Sequence, residues 1–599
     1  MKDFFKTVLA VIVGILILNI ILSVLFMLFF GAVAAVGSSK SVLPREGVLD
    51  INMSEFILGE QSKSGNIDMA SLTSLSTEMT PTIGLLDAAK ALETAATDPG
   101  IKYILLRTDG MAAGMAGLEE FRKALVAFRS SGKAVIAYTE NPTTGGYYLA
   151  SAADKIYMTA DHGATSMLLG ISGRMLFLKD LLDKFGVNVQ LIRHGKYKSA
   201  GEMYVRNSPS EANLEQNQAM ISSIWKSYSS EMASARGLDE AKFNALLDDL
   251  TLVLPEDFKA NGLVDELYQR SELVGKLCEL AGVTSQEDLH LIPMQDYVSA
   301  KVPPVLPTGK NLVAVIYAEG NIVEGDDVKN IAGDRFARVI AKIRQDKNVK
   351  AVVLRVNSPG GSVLASEKIK DELDLLKAEK PLVASYGDYA ASGGYWISNN
   401  CEKIYTDATT LTGSIGVFSM IPDLSKTVKD LAHVNVTPVK SNKHSDMFMM
   451  MRPFDDKEKE YMQATIEDIY TRFVTKVSEG RGMTPEQVDD IAQGRVWTGS
   501  DALGIGLVDE IGTLSDAITY AASLAGYEGD NEYKVVGYPR PLTMMEELMQ
   551  SLGNKKEEGI SAALKGTAFE GLDKAIRELQ ANEPSKAYAL MPYEILIEK

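Results

Sequence analysis

Ser392 stands in DYAASGGYWIS, residues 388–398, with Ala390 and Ala391 before it and Gly393 and Gly394 after it. Small neighbours leave a hydroxyl open to approach. A nucleophilic serine needs that exposure together with a base and an oxyanion hole. The helical pattern starting near Gly393 would add amide N–H groups and the positive end of a helix dipole. The same residues also suit a plain strand-to-helix turn, so the stretch alone decides nothing. Ala390 fills the first glycine position of a GxSxG elbow, which argues against an α/β-hydrolase. A second stretch, RVNSPGGS at 355–362, passes from a strand into a helix through Pro-Gly-Gly. Its amides are candidates to face a developing oxyanion, because glycine lets a ligand approach the backbone closely. A bare βα turn has the same pattern.

A serine nucleophile needs a base. The histidines (His162, His194, His290, His433, His444) are scattered and form no HExxH, which gives a metal hydrolase little support. Neither is any of them in a suggestive motif. A lysine is the alternative, provided that burial or nearby positive charge strips its proton near neutral pH. RHGKYKSAGE, residues 193–202, offers Lys198, with Lys196 as fallback, beside Arg193. Such a cluster is ordinarily a solvated face.

The elements that would position these groups occur twice. IKYILLRTDG at 101 matches VKAVVLRVNS at 349, and the same offset of 248 carries GGYYLASAADKIY (145–157) onto GGYWISNNCEKIY (393–405). Upstream, GVLDINMSEFILGE at 47 resembles LVAVIYAEGNIVEG at 312; downstream, GVNVQLIRHGKYKSA at 186 sits against HVNVTPVKSNKHSD at 433. Within each copy, short β-branched runs alternate with helical patterns, which predicts parallel pairing in an α/β fold. Sites in such folds lie where the strands end.

The copies differ where chemistry would sit. Thr144 takes the place of Ser392, and Ala112 and Ala113 take the places of Gly360 and Gly361. Conversely, Lys198 aligns with Ser445. One copy holds a nucleophile and a glycine loop, the other a lysine. A single site assembled between the halves explains both losses.

The expected organisation is an anchor over 1–40, repeats over 41–298 and 311–540, a proline-containing linker over 299–310, and a helical, charged tail over 541–599 to which no chemistry is assigned. Residues 7–36 carry no charge and are long enough to span a bilayer. A cleaved signal peptide has a shorter apolar core, so a retained anchor with the body outside is expected. The formal charge of -18, from 79 acidic and 61 basic residues, disfavours nucleic acid. Cys278 and Cys401 lack CxxC partners, so neither a zinc site nor a disulfide framework is expected.

Together, GKYKSA, NSPGGSVLASE, DYAASGGYWIS and LTGSIGV, in this order and within tandem copies, resemble the signal peptide peptidase A (protease IV) family in its long bacterial form. The resemblance implies tandem Clp-protease/crotonase-like domains built of ββα units. It implies a Ser/Lys dyad with Ser392 as nucleophile and Lys198 as base. Ser414, in the TGSIG motif, would hydrogen-bond the lysine, and Gly360, Gly361 and Gly393 would form the oxyanion hole. It further implies remnant signal peptides as substrates, a homotetramer, no metal or other cofactor, and a single-pass protein of the bacterial inner membrane with its body on the periplasmic side. A non-catalytic membrane scaffold and a crotonase-like acyl-CoA enzyme are the rival readings.

Overall fold

A computed structural model describes residues 43–63, 80–303, 309–529, 532–541 and 586–591. The expected anchor, residues 7–36, lies outside the described residues. Among the described residues no helix is long and apolar enough to cross a membrane.

Each copy builds a largely parallel sheet. In the first the strand order is Glu266–Tyr268, Lys155–Thr159, Val135–Thr139, Ile101–Arg107, Gly47–Asn52, Leu291–Pro293. All of these pairings are parallel. In the second it is Val496–Thr498, Leu411–Gly413, Leu382–Ala391, Val349–Ser358, Leu312–Glu319, Lys534–Tyr538, with only the Val496–Thr498 pairing antiparallel.

The sequence dictates this because the inner strands are apolar on both faces, as a sheet covered on both sides requires. In Leu312–Glu319, Ala314, Ile316 and Ala318 point into the main core. Val313, Val315 and Tyr317 point to the other face, where Leu514, Ala517, Ile518 and Ala521 cover them. Helix Gly333–Gln345 buries Phe336, Ile340 and Ile343, a spacing that keeps them on one stripe.

A third sheet joins the copies. Its order is Ile331–Ala332, Ile322–Val323, Gly360–Ser362, Tyr588–Leu590, Val417–Asp423, Asn188–His194. The last strand belongs to the first copy and pairs antiparallel with the second, from Val417↔His194 to Asp423↔Asn188. Two expectations are corrected here. The linker does not begin at 299, because helix Met294–Lys301 runs to 301 and buries Met294, Tyr297 and Val298. The described part of the tail is not helical: Tyr588–Leu590 is a strand, placed between two strand edges that would otherwise lack a partner.

Buried charge fixes the halves against each other. Arg355 is buried and holds Glu60 at 2.7 Å and Glu120 at 2.6 Å, both from the first copy. Glu119 accepts from the amides of Ala408 and Thr409 at 2.8 and 3.0 Å. Asp388 accepts from the Ala116 amide at 2.9 Å. Breaking a buried ion pair on one side leaves uncompensated charge, so Arg355→Met should lower stability by about 3–5 kcal/mol in chemical denaturation. An unchanged denaturation midpoint would show that this network does not hold the halves together.

Candidate active site

Strand Leu382–Ala391 delivers Ser392, and helix Gly393–Ser398 leaves from it. Ser392 adopts φ 56° and ψ -111°, a region that costs a non-glycine residue about 1–3 kcal/mol. Its amide donates to Gly413 O at 2.8 Å and its carbonyl accepts from the Trp396 amide at 2.8 Å. Its side chain caps nothing. The first copy contrasts with this: Thr143 caps helix Thr144–Ala150 through the Gly146 amide at 3.0 Å, and Thr144 Oγ1 donates to Gly170 O at 2.8 Å. There both hydroxyls are committed to backbone groups.

Lys198 comes from the other half. After strand Asn188–His194 crosses to the second copy, the Tyr197 amide donates to Gln493 O at 2.9 Å and Arg193 Nη1 donates to Lys198 O at 2.7 Å. The lysine stem runs between backbone segments with no room for side chains. A Cβ on Gly494, whose φ is 78°, would lie 2.6 Å from the Lys198 amide nitrogen, and one on Gly416 would lie 3.1 Å from Lys198 Cδ. The amine ends 2.8 Å from Ser392 Oγ, 3.0 Å from Ser414 O and 3.0 Å from Ser414 Oγ.

Lys198, Ser392 and Ser414 are all fully buried. Burial holds the Lys198 amine well below its ordinary value of 10.5, and no carboxylate opposes the shift. The partner set suits a neutral amine. Two N–H groups have Ser414 O and Oγ to donate to, and the lone pair is left to accept from the Ser392 hydroxyl. Lys196, the fallback base, is exposed, with its ammonium 4.7 Å over the Tyr197 ring. His162, His194 and His444 are bonded to Glu256, Glu467 and Glu458.

The glycine loop needs one correction. The Gly360 amide donates to Ser358 Oγ at 3.1 Å, so it is not a free oxyanion donor. Gly360 instead provides closeness: at φ 102°, a Cβ there would lie 2.6 Å from the Gly393 amide nitrogen. Gly361 faces Ala589 of the tail strand across an antiparallel ladder, and Gly393 opens the helix Gly393–Ser398.

Sequence reasoning did not single out Gly416 and Gly494, the walls of the lysine channel. A weak signal existed, since TGSIG and AQGRVWTG each place a glycine beside otherwise ordinary strand residues. It also missed an apolar cavity of about 530 Å³ beside the strand that carries Ser392, lined by Met111, Met115, Leu118, Ile224, Tyr389 and Leu411 among others. Gly110, Ala113, Thr144 and Gly145, from the first copy's counterpart of the site, also line it.

Known proteins share this chain's pattern. A protein called Protease 4 from Haemophilus influenzae is 34% identical over 86% of this chain and 85% of its own length. Another of that name from Salmonella typhi is 34% identical over 96% of both chains. The chloroplastic serine protease SPPA of Arabidopsis thaliana is 31% identical over 79% of this chain and 70% of its own. Among solved structures, a ClpP1 point mutant from Listeria monocytogenes covers 34% of this chain and 94% of its own at 16% identity, with a TM-score of 0.24. The profile of peptidase family S49 matches residues 127–284 and 374–528, one segment in each copy. The chain belongs to peptidase family S49.

Proposed function

We propose that this protein is a membrane-anchored serine endopeptidase that degrades remnant signal peptides, with Ser392 as nucleophile and Lys198 as general base. The observation that carries the proposal is the 2.8 Å approach of a fully buried, charge-uncompensated lysine amine to a serine hydroxyl held at positive φ. A neutral amine takes the hydroxyl proton as Ser392 attacks a peptide carbonyl. The amides of Gly361 and Gly393 face the oxyanion. Lys198 then gives its proton to the leaving amine and draws one from the water that hydrolyses the acyl-enzyme. Ser414 orients the lysine through both its oxygens.

The apolar cavity beside the site supports a hydrophobic substrate class, and the uncharged run 7–36 supports anchoring in a bacterial inner membrane with the body on the periplasmic side. A homotetramer, its subunit number resting on the resemblance, is supported by a second mismatch between the copies. Segment 433–440 corresponds to the strand that the first copy lends to the second, yet its Val434, Val436 and Val439 are 50%, 48% and 100% exposed. Leu169, at the first copy's counterpart of the receiving strand, is 63% exposed. Head-to-tail pairing of these edges between chains closes a ring.

Three outcomes follow for the purified protein. Ser392→Ala should reduce hydrolysis of an apolar peptide roughly 10⁴-fold or more, and Lys198→Met roughly 10²–10⁴-fold, with folding kept. The wild-type rate should rise with pH as the amine loses its proton and level off well below pH 10.5. Full activity in either variant contradicts the assignment.

Stability gives an independent reading. The unfolded chain binds a proton at Lys198 that the folded chain does not, so the wild type is penalised below pH 10.5 and the penalty shrinks as pH rises toward that value. Lys198→Met should therefore melt higher than wild type at neutral pH, with the gap closing in alkali. A gap that does not change with pH would place a proton on the folded-state amine. Finally, Val436→Asp with Val439→Asp should shift sedimentation toward the monomer; an unchanged oligomer would remove this edge from the interface.

A further inference from the structure

We propose that the first copy keeps its own cleft as a second peptide site, which binds an extended apolar peptide without cutting it. The proposal rests on the protease reading above for the class of ligand and adds a binding site to it.

The two clefts are built alike. The glycine loop and nucleophile turn of the second copy, residues 359–363 and 391–393, have residues 111–115 and 143–145 as counterparts at the offset of 248. On one side of the loop the same neighbour recurs: Ile322 pairs with Gly361, and its counterpart Ile57 bridges Ala112. On the other side the copies part. Strand Tyr588–Leu590 fills the second cleft by pairing with Gly360–Ser362. No strand among the described residues pairs with 112–114 there. Adding one extended strand to an open edge is a common mode of peptide recognition.

Where that strand is missing there is space. The cavity of about 530 Å³ lies against both segments of the first cleft, touching Met111, Gly114, Met115, Thr143, Thr144 and Gly145. Sites that enclose a ligand run to roughly 300–1,000 Å³. Met111, Met115 and Met167 line it, and unbranched thioether side chains repack around apolar groups of different shapes. That favours peptides chosen for hydrophobicity over peptides chosen for sequence. One polar group stands among these side chains. Thr409 lines the cavity and is 3% exposed, and its Oγ1 has no hydrogen-bond partner among the described residues. A buried hydroxyl left unpaired is costly, and an amide or carbonyl of a bound peptide would pair it.

The first cleft lacks the means to hydrolyse what it holds. Thr144 Oγ1 donates to Gly170 O. Ser445, the counterpart of Lys198, supplies no amine, and its hydroxyl donates to Asn442 O. Yet the cleft adjoins the site that does have them. Met115, Ile171 and Tyr389 line the cavity and also pack on the apolar cluster that contains Ala391, the residue before Ser392. A peptide held in the first cleft is thus kept beside the dyad, and a second hold on one chain raises its effective concentration there without new contacts at the dyad.

The test is photocrosslinking on the full-length Ser392→Ala protein with a leucine–alanine peptide that carries one photoreactive leucine, the adducts being mapped by mass spectrometry. Hydrolysis of the same peptide by wild type is measured alongside. The expected result is adducts within residues 110–115 that excess unlabelled peptide displaces. Adding Met111→Glu, which puts a carboxylate in the cavity, should weaken peptide binding roughly 10-fold or more. Adducts confined to the second copy, with hydrolysis by wild type, would overturn this proposal alone. Adducts at the first cleft without hydrolysis by wild type would support the site and overturn the protease reading; neither adducts there nor hydrolysis would overturn both. Displacement by a free fatty acid but not by unlabelled peptide would make the cavity an acyl-chain site and overturn the proposal.

Discussion

An ammonium removed from water with no carboxylate beside it is far more costly than an amine in the same place. Lys198 is in that position, fully buried with burial as the one cause of its lowered proton affinity. Much of the local structure serves to keep it so. Gly416 and Gly494 clear a channel along the stem. Ser414, at φ 49°, turns so that both its carbonyl and its hydroxyl face the amine. Neither partner is charged, so hydrogen bonds fix the amine without restoring its proton. The remaining direction is toward Ser392.

This arrangement can be met only if the two halves hold still, because the two groups are 194 residues apart. An error of about 1 Å in such a pair can cost 10²-fold in rate. The seven-residue ladder between Asn188–His194 and Val417–Asp423 carries the lysine across. The Arg355–Glu60–Glu120 cluster and the Glu119 and Asp388 contacts lock the rest. Duplication gave two scaffolds with one turn each. In the first, Thr143 caps the helix that leaves the turn and Thr144 is bonded to Gly170 O. In the second the strained Ser392 keeps its hydroxyl for the amine.

The parts visible in sequence were those with a local cause. Parallel strands buried on both faces read as continuous apolar runs, so AVVLRV and LVASY announced themselves. Ser392 and Lys198 stood out because each was missing from the other copy. What stayed hidden depended on contacts across the chain. Which glycine amide is free turns on the Ser358 hydroxyl bonding Gly360, and a PGG motif alone does not encode that. The helix over Met294–Lys301 continues into the expected linker because Tyr297 and Val298 find a core in the first copy. The tail strand depends on an edge formed by Gly360–Ser362 and Val417–Asp423, over 160 residues before it, so its charged sequence suggested a helix instead.

The central claim is that Lys198 is neutral in the folded protein at neutral pH. Titration of the full-length protein carrying ¹³Cε-lysine, followed by NMR, measures this directly. The account predicts one lysine resonance that titrates well below pH 10.5 and disappears in Lys198→Met. If every lysine, Lys198 included, titrated near its ordinary value, the account would be contradicted.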